Sequence, residues 1–377
     1  MATEDAVREA LATVNDPEIH RPITELGMVK SIEIDPDGVV AVTVYLTVSG
    51  CPMRETITKN VTDAVALVEG VSRVEVTLDV MSDEQRKELA SSLRGGTAER
   101  EVPFAQPGSL TRVYAVASGK GGVGKSSVTV NLAAAMAADG LKVGVVDADI
   151  YGHSVPRMLG AAGKPTQVEN MIMPPSAHGV KVISIGMFTP GNAPVVWRGP
   201  MLHRALQQFL ADVYWGDLDI LLLDLPPGTG DIAISVAQLV PNAEILVVTT
   251  PQQAAAEVAE RAGSIAVQTH QKIVGVVENM SGMPCPHCDE IIDVFGTGGG
   301  QRVAEGLTKT VGAEVPVLGS IPIDVRLREG GDEGKPVVLS DPDSAAGAAL
   351  RSIADKLSGR QRGLSGMSLG LTPRNKF

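Results

Sequence analysis

Eight residues, Gly119-Lys-Gly-Gly-Val-Gly-Lys125-Ser126, have the types and spacing of a phosphate-binding loop, G-x-x-x-x-G-K-[ST]. Gly121, Gly122 and Gly124 let the backbone fold around an anion with its N–H groups inward, where a β-carbon would clash. Lys125 is placed to reach the β- and γ-phosphates of a nucleotide, and the Ser126 hydroxyl to ligate Mg²⁺. A short apolar run, Val113–Ala117, precedes the loop, and a helix-forming run, Ser126–Ala138, follows it. That context separates a phosphate loop from an ordinary glycine-rich turn, and the start of the helix adds the positive end of its dipole. The expected nucleotide-binding set runs through Gly119, Lys120, Gly121, Gly122, Val123, Gly124, Lys125, Ser126 and Ser127.

Two further groups have chemical potential. Acidic residues end two apolar runs: Asp147-Ala-Asp149 after Val143-Gly-Val-Val, and Asp224 after Ile220-Leu-Leu-Leu. A carboxylate at the end of an apolar strand is the arrangement that holds Mg²⁺ beside a phosphate loop, and Asp224 is the candidate for it. The bland reading of each acid is a helix cap or turn. Asp224 leads into Leu-Pro-Pro-Gly-Thr-Gly-Asp231, whose stiff proline pair beside two glycines suits a segment that pivots. The second group is Cys285-Pro-His-Cys288. Two thiolates at this spacing can bind one face of a metal centre but are too few for a four-thiolate site. A second subunit related by two-fold symmetry would supply the other two. Zinc, with help from His287, and a thiol–disulfide pair are the competing readings.

These groups need a scaffold, and the sequence supplies one. From about Thr111, short apolar runs alternate with helical segments. The strand candidates are Val113–Ala117, Val143–Asp147, Val180–Ile185, Ile220–Asp224, Glu244–Thr249, Lys272–Glu278 and Val317–Ile321. Between them lie helices at Ser126–Ala138, Met201–Val213, Asp231–Leu239, Gln252–Gln268, Gly299–Thr310 and Ser344–Leu357. Apolar runs without alternation belong to a sheet covered on both faces, so the pattern predicts an α/β fold with a doubly wound, mostly parallel sheet. Ligands of such sheets sit at the carboxyl ends of the strands, where Asp149 and Asp224 fall.

A small α/β domain is expected to precede it over residues 1–93, with a helix over Glu4–Val14, strands at Val29–Ile34 and Val39–Thr47 around Asp35-Pro-Asp-Gly38, a helix from Cys51-Pro52 to about Val68, and a strand at Val71–Leu78. Cys51, at a helix start, is either a reactive or metal-binding thiol or a small capping residue. Residues 94–110 read as a linker, 111–358 as the main domain, and 359–377, with four basic residues and no acidic ones, as a disordered tail. The 377 residues carry a formal net charge of −12, which disfavours nucleic acid and acidic membranes as partners. No apolar run approaches a bilayer's thickness and the acidic start lacks a signal-peptide core, so a cytoplasmic protein is expected. Three cysteines suit a reducing compartment.

Lys120 gives the loop an early second lysine, and the result resembles the deviant phosphate loop of the MinD, ParA and nitrogenase-iron-protein superfamily. The resemblance implies that Lys120 reaches a nucleotide held by the partner subunit, that Asp149 positions the attacking water, and that Asn279, in Glu278-Asn-Met-Ser281, contacts the adenine base. Ile321-Pro-Ile-Asp324 would border the base or ribose. With Asp147-Ala-Asp-Ile-Tyr-Gly152, Asp224–Asp231 and Cys285-x-x-Cys288, the region 111–357 resembles the Mrp/ApbC family of iron–sulfur cluster carriers. The first domain resembles the small domain shared by iron–sulfur assembly proteins. One departure is His153, where the family often has proline. The resemblance implies an ATP-hydrolysing homodimer that holds a bridging [4Fe–4S] cluster on Cys285 and Cys288, receives it from an assembly scaffold and passes it to apoproteins. A MinD/ParA-like partitioning ATPase and an ATP-driven electron donor are the alternatives. The former needs a membrane helix or basic face that the tail and charge do not provide; the latter uses separated cysteines.

Overall fold

The computed structural model describes residues 2–47, 53–93, 102–106, 108–149, 152, 154–169, 171–188, 199–228, 231–252, 256–285, 287–288 and 290–359. Cys51, His153, most of the expected linker, Thr229 and Gly230 of the pivoting segment, and the tail beyond Gly359 lie outside the described residues. Two compact units are present: residues 1–100 with 164–174 and 212–216, and the remainder of the chain.

The smaller unit is built on a three-stranded sheet, Val29–Ile34 antiparallel to Val39–Leu46, which runs parallel to Arg73–Val80. Val40, Val42, Val44 and Leu46 alternate into the core, as period-two patterning requires. Helices Glu4–Ala12 and Arg54–Ala66 cover it through Val7 and Leu11, and through Ile57, Val61 and Val65 at four-residue spacing. The Asp35 carboxylate accepts from the Asp37 and Val39 N–H groups and closes the expected turn. A helix, Asp83–Leu93, follows the third strand.

This core is not made by the first hundred residues alone. A hairpin, Thr166–Val168 paired with Met171–Met173, adds Val168, Met171 and Met173 to it. The segment at 212–216 binds the hairpin edge, with the Ile172 N–H donating to the Asp212 carbonyl and the Tyr214 N–H to that of Ile172, each at 2.8 Å. The helix expected over Met201–Val213 spans Gly199–Ala211, and Val213 continues into this extended segment. Glu18 reaches the hairpin too, accepting from the Thr166 hydroxyl at 3.2 Å. Burial raises the Glu18 pKa, and the neighbouring Asp16 carboxylate adds to the shift.

The larger unit carries an eight-stranded sheet in the order 317–321, 273–279, 244–249, 112–117, 220–224, 143–147, 180–184, 176–177. All pairings are parallel except that of the two-residue edge strand Ser176–Ala177. Successive residues of Glu244–Thr249 enter opposite cores. Leu246 and Val248 join the cluster under helices Lys125–Ala138 and Ala345–Ser358, while Ile245 and Val247 join that of Ala266, Val303 and Leu307. A sheet buried on both faces explains why these strands read as unbroken apolar runs. Residues 102–106, expected to be linker, instead end in a docked turn. Phe104 is buried there, and its carbonyl accepts from the Asn242 side chain. Among the described residues no helix is long and apolar enough to cross a membrane.

Candidate nucleotide site and cysteine hairpin

The phosphate loop joins the strand Arg112–Ala117 to the helix Lys125–Ala138. Gly122 and Gly124 both have φ of +79°, a conformation that side-chain-bearing residues rarely adopt. Register fixes what lies beside the loop: Asp224 pairs with Val116 on one side and with Asp147 on the other. Two carboxylates are thereby held side by side at the carboxyl end of the sheet, and both are fully buried.

Asp224 is enclosed by the first turn of the following helix. Ser126 Oγ donates to its Oδ2 at 2.6 Å, and Thr129 Oγ1 donates to its Oδ1 at 2.8 Å. Lys125 Nζ stands 2.8 Å from the same Oδ1, 6% exposed, in a charge pair that falls short of a directed hydrogen bond. Among the described residues this buried ammonium has no hydrogen-bond acceptor, which leaves it poised to turn toward an anion. Thr129, which sequence reading missed, lies one turn after Lys125 on the same helix face. Asp147 accepts from Ser184 Oγ and from the N–H groups of Asp149 and Val155. Burial first, and then the charge of Asp224, push its pKa up to about 8. Asp147 thus anchors the segment carrying Asp149, whose own carboxylate accepts from the Gly152 N–H at 3.2 Å.

The loop opens onto a cavity of about 700 Å³. Lys120 through Ser127, Asp149 and Asn279 line it; Asp224 is buried outside its lining. The wall also includes Met158, Met280, Phe295, Pro322, Ile323 and Leu327, an apolar set suited to a planar base. Pro322 and Ile323 belong to the segment expected to border the base or ribose. Met158, Phe295 and Leu327 carry no local motif that would have exposed them. Asn279 is 3% exposed; its Nδ2 donates to the Val123 carbonyl at 2.8 Å, and its Oδ1 has no hydrogen-bond partner among the described residues. The Lys120 ammonium donates to the Gln252 side chain of its own chain.

Cys285 and Cys288 sit beyond this cavity wall, on the connection between the strands Met283–Pro284 and Ile291–Ile292. The Cys285 N–H donates to the Glu290 carbonyl and closes the hairpin. The His287 N–H beside Cys285 lowers its thiol pKa, with the Cys288 thiol adding to the effect. Cys288 is exposed. Among the described residues no cluster of three or more His, Cys, Asp or Glu could hold a metal.

A parallel sheet with a glycine loop, buried strand-end carboxylates and an adjoining cavity defines a P-loop NTPase. Residues 109–358 match the family described as the ParA-type NUBPL iron-transfer P-loop NTPase, and residues 4–78 the iron–sulfur cluster assembly protein family. An iron–sulfur cluster carrier protein of Mycobacterium bovis is 70% identical over 371 residues, covering 98% of this chain and 97% of that protein. Its counterpart in Bacillus subtilis is 42% identical, covering 86% and 89%. Among solved structures, a nucleotide-binding protein from Archaeoglobus fulgidus in complex with ADP is 35% identical, with a TM-score of 0.51 over 67% of this chain and 92% of that one. The chain belongs to the NUBPL/ParA-type iron-transfer P-loop NTPases, with an iron–sulfur-assembly domain at its start.

Proposed function

We propose that this chain is an ATP-hydrolysing iron–sulfur cluster carrier whose homodimer holds a bridging [4Fe–4S] cluster and delivers it to apoproteins. The observation that carries the reading is the hairpin that presents Cys285 and Cys288 as an accessible pair of free thiols, with no cluster of three or more metal-ligating side chains among the described residues. A four-thiolate cluster then draws its other two ligands from a second copy. The lowered Cys285 pKa favours the thiolate that iron requires.

In the nucleotide site, Lys125 turns from Asp224 to the β- and γ-phosphates, and backbone N–H groups from Gly119 to Ser127 cradle them. Ser126 and Asp224 present hard oxygen donors side by side, a set that fits Mg²⁺. The metal, when bound, neutralises charge developing on the phosphate oxygens. Asp149, in the cavity wall, orients the attacking water. Lys120 leaves Gln252 to complete the partner's site, which couples hydrolysis to dimer formation. Asn279 contacts the adenine, its unpartnered Oδ1 supplying an acceptor.

Anaerobic reconstitution with iron and sulfide, followed by absorption spectroscopy, tests this reading. Charge-transfer absorption that disappears in Cys285→Ala/Cys288→Ala supports it. Zinc binding without such absorption contradicts it.

A further inference from the structure

The hairpin bearing the cysteines is rooted in the nucleotide cavity at both ends. Its chain leaves the wall at Met280 and returns to it at Phe295. Between them the stem is fixed to the neighbouring strand end, with the Ser281 N–H donating to the Ile321 carbonyl at 2.9 Å and the Ile323 N–H to that of Gly282 at 2.8 Å. Pro322 and Ile323 are themselves wall residues.

Three features distinguish the entry to the hairpin. Asn279, the last residue of its strand, grips the back of the phosphate loop through the Val123 carbonyl and keeps a buried oxygen unpaired. A β-carbon on Gly124 would fall 2.3 Å from the Asn279 amide nitrogen and break that grip. Met280, next in the chain, has φ of +61°, which is strained for a residue with a side chain. Gly282 follows with φ of +78°, and a β-carbon there would lie 2.6 Å from Ile291 across the hairpin. A gripped loop, a strained residue and a tightly packed stem thus succeed one another within the six residues before Cys285.

We propose that Asn279 and Met280 are positioning residues that tie the phosphate loop to the cysteine hairpin, so that a nucleotide in the cavity resets the two thiols. The proposal rests on the nucleotide site and thiolate pair described above. Because Asn279, Met280 and Phe295 face the loop and the apolar wall, ADP is sufficient for the effect, with no γ-phosphate needed.

The test uses the reduced, cluster-free full-length chain. Alkylation of Cys285 and Cys288 by iodoacetamide is followed by peptide mass spectrometry, with and without saturating ADP, and ADP binding is measured separately. The expected change in alkylation rate is about fivefold, the weight of one hydrogen bond in an equilibrium. Met280→Gly relieves the strain; because Met280 also lines the cavity, the variant's own ADP affinity is measured first, and at an ADP concentration that saturates the variant the change should shrink below about twofold. Asn279→Ala at saturating ADP should do the same. Unchanged thiol rates with ADP bound, or a full response in both variants, overturn the proposal. A chain that binds no ADP overturns the nucleotide-site reading itself.

Discussion

Substituting Lys125 by alanine should unfold the nucleotide-free chain more readily, quite apart from its effect on phosphate binding. Lys125 is 6% exposed and its ammonium lies 2.8 Å from an Asp224 oxygen that is fully buried. The net worth of such a pair against an apolar isostere is small, because desolvating both charges offsets their attraction. Removing one partner is different, since it leaves a buried carboxylate uncompensated, at a cost of about 3–5 kcal/mol. Hydrogen bonds from Ser126 and Thr129 to Asp224 persist in the variant, so the expected loss lies near the lower figure, about 3 kcal/mol. Asp224→Asn in the Lys125→Ala background removes the stranded charge and should restore at least about 1 kcal/mol. Urea unfolding of the four proteins of this cycle, without nucleotide, measures both terms. A Lys125→Ala chain within about 0.5 kcal/mol of the parent would refute the reasoning.

Other outcomes follow from the same geometry. Gly124→Ala places a methyl group at φ +79° and 2.3 Å from Asn279, so nucleotide affinity should fall at least about tenfold, read by calorimetric titration. Met173→Ala, far in sequence from the first domain, should lower that domain's stability by about 2–4 kcal/mol, seen as a shift in hydrogen exchange of the strand Val39–Leu46. Glu18 has a raised pKa, so the folded chain holds more protons than the unfolded one above the ordinary carboxylate range, and stability falls as pH rises through that window. Glu18→Gln should therefore raise Tm at pH 7, with the gain vanishing below pH ~4, by scanning calorimetry at the two pH values.

Much of the larger unit was legible because its signals are local. Buried parallel strands are short apolar runs, and four of the seven expected over 111–358, Val143–Asp147, Ile220–Asp224, Glu244–Thr249 and Val317–Ile321, have the expected bounds. The loop, Asp149 and Asn279 fell to one cavity because sheet topology sends strand ends to the same edge. What stayed hidden depends on long-range packing. The hairpin around Met171 has strands of three residues, too short for periodicity, and its apolar side chains join a core made mostly by the first domain, far upstream in the sequence. Helices Val325–Glu333 and Val337–Ser340 were missed because the first is rich in glycine and charge and the second is a single turn. Phe104 reads as linker because its neighbours are polar and proline-rich, yet one aromatic residue is enough to dock the segment.

The most direct test of the carrier assignment is the mass and spectrum of the anaerobically reconstituted chain. The account predicts a dimer with charge-transfer absorption and about four irons per two chains, reverting to cluster-free protein in Cys285→Ala/Cys288→Ala. A monomer that holds a full cluster, or a double variant that still binds one, would contradict it.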